Sequence, residues 1–173
     1  MSEWKSDKAW ADKFMHEIKQ ILGVHLIKDA PYEEDAKRNS DLIVLRLESV
    51  RIAVRTRRFY NPKTRKPTNY LSKWGHQFTI RADRPNGART EFSKIIEGWG
   101  DYFFYGFADE TETVLAKWTL GRLSSLRLHL AKLVWDGKKP DPIQNYDDSS
   151  SFYAFNVADV RDFVVASSDG IPS

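Results

Sequence analysis

The chain has no cysteine and only two methionines in 173 residues. Disulfides and thiolate metal sites are therefore excluded, a composition that suits a reducing cytoplasm. Long apolar runs are missing too. None approaches the ~18–20 residues a membrane-spanning helix needs, and the first residues lack a signal-peptide core. A soluble, cytoplasmic protein without membrane contact is the expectation. The four histidines, His16, His25, His76 and His129, show no mutual ligand spacing, which argues against a zinc site. No glycine-rich phosphate loop is present, since 84–87 reads as a turn. Ser124, Ser125 and the serines at 149–151 lack the context of a nucleophile elbow.

Aromatic residues are plentiful. Six Trp, seven Tyr and ten Phe supply large pieces of apolar surface, enough for one real core in a single domain spanning 1–173. The formal charge is only +3, but it is segregated. Between Arg51 and Arg84 there are ten Lys or Arg and one acid, Asp83, while compensating acids gather at 29–35 and 101–112. A basic strip inside a modestly charged domain points to a polyanionic partner, nucleic acid above all. A solvated surface loop is the plainer reading of the same residues.

Periodicity sets the order of elements. Trp10, Phe14, Ile18, Ile21 and Leu22 recur at helical spacing, predicting one helix over 4–22 with Gly23 as its stop. A strand at 24–28 and an acidic loop to 40 follow. Strands at 41–47 and 51–59 are then joined by a turn near Glu48 and Ser49. Residues 61–72 carry prolines and cations and read as an exposed loop. A strand is expected at 77–83, and Thr90 caps a short helix over 91–97. The aromatic run 101–107 reads as a central strand buried on both faces. Beyond it come a strand at 114–120, a helix at 123–134, a loop at 136–151, a strand at 152–156 and a helix at 157–165. Strands and helices interleave, so the fold class is α/β, a mixed central sheet flanked by helices.

The segment opening Ser40, Asp41, Leu42, Ile43, Val44, followed by Arg51, Ile52, Ala53, Val54, Arg55, Thr56, Arg57, carries a resemblance. It looks like the two halves of the PD-(D/E)XK nuclease motif, of the restriction-endonuclease-like and Holliday-junction-resolvase-like type. The helix at 91–97 and the strand at 101–107 are similar to that family's next two elements. The likeness covers roughly residues 5–135, leaving a strand and helix at 152–166 as an extension.

The resemblance implies nucleic-acid binding, DNA more than RNA, and Mg²⁺-dependent phosphodiester hydrolysis in a homodimer. Asp41 would be one metal ligand, and Arg55 stands at the family's lysine position. Arg57 shares its face by strand alternation. Ala53 occupies the place of the second acid. Glu91 is the substitute, with Lys94 one turn later. Glu17 or the loop acids Glu33, Glu34 and Asp35 are further carboxylates to consider. Asp41 as a strand-entry residue and Glu91 as a helix-dipole acid are the structural alternatives.

Arg57, Arg58, Lys63, Arg65, Lys66, Lys73 and Arg81 would grip the nucleic-acid backbone. Tyr60, Tyr70 and Trp74, interleaved with them, are the residue types on which bases stack. Two other functions fit the same residues. The fold could serve as a binding or assembly module without cleavage, or as a protein-interaction factor whose basic strip meets an acidic partner.

Overall fold

The computed structural model describes residues 3–29, 42–44, 50–85, 87–138, 140–145 and 150–170. The amino-terminal periodicity is realised as two helices, α1 (Glu3–Asp12) and α2 (Met15–Leu26), where a single helix was expected. The backbone tightens between them, with Lys13 bonded to Trp10 and Phe14 to Ala11 at 3.2 Å each, the three-residue spacing of a 3₁₀ turn. The apolar stripe survives the break. Trp10, Phe14 and Ile18 are all buried, and the Trp10 and Phe14 rings lie 4.9 Å apart.

Gly23 does not stop α2. It stays helical, and the chain leaves the helix only where β1 (Ile27–Asp29) pairs with β2 (Leu42–Val44). The predicted hairpin of β2 with the next strand is corrected by this pairing. β2 runs antiparallel to β1, while β3 (Ile52–Arg57) joins a different sheet.

That sheet has four strands in the order β3-β5-β6-β9. β5 (Tyr102–Ala108) is parallel to β3, and β6 (Leu115–Arg122) and β9 (Val164–Ser167) continue antiparallel. The run at 101–107 is interior, as its composition required. Phe103, Tyr105 and Phe107 pack on one face and Phe104 and Ala108 on the other.

A second, antiparallel sheet has the order β4-β8-β7, from β4 (Gln77–Asp83), β7 (Ile143–Gln144) and β8 (Ser151–Asn156). Helices α3 (Tyr70–Trp74), α4 (Glu91–Ile96) and α5 (Leu123–Trp135) follow among the described residues, with a 3₁₀ helix at Val157–Phe163. α3 lies in what was read as loop, and β9 in what was read as the end of a last helix. The carboxy-terminal segment is no appendage, since β8 is the centre of one sheet and β9 an edge of the other.

Two apolar clusters share β5. Trp10, Phe14 and Ile18 close one face together with Leu115 and Leu120. Phe78 and Ile80 of β4, Tyr153 and Phe155 of β8, and Leu123, Leu126 and Leu130 of α5 close the other. Phe78 is stacked against Phe163 at 4.6 Å and Phe155 at 5.3 Å. Mixed α/β layering is thus observed, and no helix among the described residues is long and apolar enough to cross a membrane.

Gly121 shows how tight this packing is. A Cβ built there would fall inside the Phe163 ring, which is itself fully buried. Gly121→Ala should therefore destabilise the protein by about 1–3 kcal/mol through forced displacement of that ring, measurable by denaturant unfolding.

Candidate functional site

β3 is an edge of its sheet, and strand alternation divides its side chains. Ile52 and Val54 pack against the α1–α2 layer. Arg55 and Arg57, in register with Tyr105 and Phe107, face β4 instead. Arg55 is mostly buried, its side chain 16% exposed, and its Nη2 lies 2.7 Å from Oε2 of Glu91. Its Nη1 donates to the Thr79 carbonyl at 3.3 Å.

Glu91 sits in the first turn of α4, where Thr90 and Ser93 form a reciprocal cap. Its Oε2 also accepts the Arg81 backbone amide at 3.1 Å, so one carboxylate ties α4 to β3 and β4 together. Burial lowers the Arg55 pKa, Glu91 offsets part of that, and the charge of Arg57 lowers it further. The group stays cationic, because an arginine starts far above neutrality.

Arg57 is held by neutral partners. Its Nε donates to the Tyr105 hydroxyl at 2.6 Å and its terminal nitrogen to Thr79 Oγ1. Its guanidinium carbon lies 5.8 Å from the Tyr70 ring centroid. Arg58 lies over the Trp10 ring at 4.4 Å and reaches Asp7 at 3.0 Å. The Arg81 pKa is lowered by burial first, then by Arg84, with Glu91 acting in the opposite sense. These four arginines line one cleft of about 530 Å³, shared with Tyr70, Asn145, Ser150 and Ser151.

The charge in this cleft is unbalanced. Glu91 answers Arg55 and Asp7 answers Arg58; Arg57 and Arg81 make no direct ion pair among the described residues, although the charge of Glu91 also acts on Arg81. Two half-buried guanidinium groups facing one concavity without an ion pair are what an incoming anion would complete.

Comparison with known protein families, curated proteins and solved structures returns no match. The function must be argued from the cleft itself.

The predicted site residues fare differently. Asp41, Glu33, Glu34 and Asp35 lie outside the described residues. Glu91 and Arg55 are brought together, as counter-ions to each other. Arg55 is thereby spoken for and is not an open phosphate clamp. Lys94 lies exposed in the last turn of α4. Glu17 is not near this cleft; both its oxygens accept the Leu115 amide, at 2.9 and 3.1 Å, which fixes α2 against β6.

Glu91 does not fit a divalent-cation ligand. Its Oε2 is engaged by Arg55 and the Arg81 amide, and the charges around it are cations. Among the described residues no group of three or more His, Cys, Asp or Glu is placed to hold a metal.

Lys63, Arg65 and Lys66 are exposed on a tight loop closed by a bridge between Tyr60 and Pro67. Asn61 organises it by accepting the Lys63 and Thr64 amides. Pro62 of that loop forms part of the cleft wall, so these cations border it. Lys73 and Trp74 are exposed on α3.

Sequence reasoning missed Thr79, Tyr105, Asn145 and Ser150. Tyr105 looked like core, and its ring is; only the hydroxyl turns to Arg57. A buried arginine on a strand demands an acceptor on its neighbour, but which strand is neighbour was not legible.

Proposed function

We propose that this chain binds the phosphate backbone of nucleic acid in the arginine-lined cleft beside β3. One observation carries the reading: Arg57 and Arg81 face the same 530 Å³ cleft without a direct ion pair among the described residues. Arginine pairs bidentately with phosphate, which favours it over a point charge for such a contact. The exposed cations Lys63, Arg65 and Lys66 extend the positive surface along a strand longer than the cleft.

The restriction-endonuclease-like resemblance carries no part of this proposal. Hydrolysis is not part of the proposal, because Glu91 serves Arg55. The test is oligonucleotide binding by fluorescence anisotropy at rising salt, where affinity should fall steeply. An acidic protein partner would instead leave oligonucleotide affinity negligible even at low salt.

Binding should be indifferent to EDTA at constant ionic strength. It should also be flat between about pH 6 and 8, since the cations of the cleft are arginines. The sign for stability follows the same logic. A base whose pKa is lowered on folding binds its proton less tightly in the native state, so its contribution improves as pH rises through the folded value. For Arg55 and Arg81 that range is strongly alkaline, and neutral-pH titration should leave the melting temperature unmoved by them.

A further inference from the structure

The arginine cleft does not end at Arg57. A second, smaller cavity of about 230 Å³ adjoins it, and Arg57, Tyr70, Asn145 and Phe152 line both. Its remaining wall includes Trp74 and Ile143, which are 50% and 49% exposed although large and apolar. Apolar side chains at the mouth of a cavity beside a cationic cleft give it the mixed lining of a small-ligand site. The volume is below the usual range for a drug-sized ligand, and it suits one flat ring system.

Two polar side chains of the cavity, Asn145 and Gln77, offer acceptors. Asn145 gives its amide nitrogen to Ser150 at 2.7 Å, and Gln77 gives its own to Asn156 at 2.8 Å. Their side-chain carbonyl oxygens carry no protein hydrogen bond among the described residues. Such oxygens pair with the exocyclic amines and ring N–H groups of bases.

We infer that this cavity receives one unpaired nucleobase, stacked against Trp74 and Tyr70, while the adjoining phosphate lies on Arg57 in the cleft. The inference rests on the backbone-binding reading and deepens it by naming the substrate class, single-stranded nucleic acid. A base inside a duplex has its recognition edge occupied and its faces stacked, so it cannot enter without being extruded. The cleft alone, reading phosphates, would accept either form.

The test uses the wild-type protein and short oligonucleotides of one length, made in DNA and in RNA: single-stranded, duplex, and single-stranded with every base replaced by an abasic linker. The single strand should bind about tenfold more tightly than its abasic counterpart, the effect of one stacked base. Trp74→Ala should reduce the normal strand to the abasic level and leave abasic binding unchanged. Equal, salt-sensitive binding of normal, abasic and duplex probes would overturn the base cavity while leaving the cleft reading intact. Absence of binding by every probe at low salt would overturn both.

Discussion

Replacing Glu91 with leucine should lower the unfolding free energy by about 2–4 kcal/mol, a fall of roughly 5–15 °C in Tm for a chain of this size. The cause is the charge left behind. Arg55 is largely shielded from water, and its compensation is the carboxylate 2.7 Å away. Removing that carboxylate strands a cation between β3 and β4 and also deprives the Arg81 amide of its acceptor. The figure is set about 1 kcal/mol below the range for a fully buried broken pair because Glu91 is itself 34% exposed.

The double variant Arg55→Met, Glu91→Leu should recover much of the loss, since a buried ion pair can be replaced by apolar side chains of similar volume at little cost. The coupling is what distinguishes a counter-ion from a metal ligand. If Glu91 acted mainly on a divalent ion, its loss would be additive with that of Arg55 and would depend on Mg²⁺.

Reversing the charge at Arg81 should weaken oligonucleotide binding by about a hundredfold at moderate salt. The substitution Arg81→Glu removes one phosphate contact and places an anion where the backbone would run. The new carboxylate would also face Glu91, whose charge acts on Arg81, so Arg81→Gln, which loses the cation alone, should weaken binding less and change stability less. Lys94→Glu, on the exposed end of α4, is the matching control and should alter affinity far less.

The sequence announced some of this and concealed the rest, for physical reasons. Alternation alone put Arg55 and Arg57 on one face, because the side-chain period of a strand is two wherever the strand lies. The continuous aromatic run of β5 declared an interior strand, since no face of it could meet water. Partners were another matter. The parallel pairing of β3 with β5 crosses about fifty residues, and nothing local distinguishes it from the hairpin with β2 that the turn at 48–49 suggested.

The Glu91–Arg55 contact inherits that uncertainty, as it exists only once both pairings are fixed. Local rules also failed where tertiary contact overruled them. Gly23 remained in α2. Residues 164 and 165, read as the end of a helix, became part of β9 because the edge of β6 at Thr119–Gly121 had a ladder to complete. The anchoring of α2 by Glu17 has the same origin, a backbone amide on β6 that needed an acceptor.

Backbone binding by unpaired guanidinium groups is the central claim, and the salt dependence of oligonucleotide affinity tests it most directly. With about five phosphates engaged, log K against log salt should have a slope near −3.5. That is about a hundredfold loss between about 50 and 200 mM, and Arg57→Ala or Arg81→Ala should each reduce the slope by about 0.7. A slope near zero, or one untouched by either substitution, would contradict it.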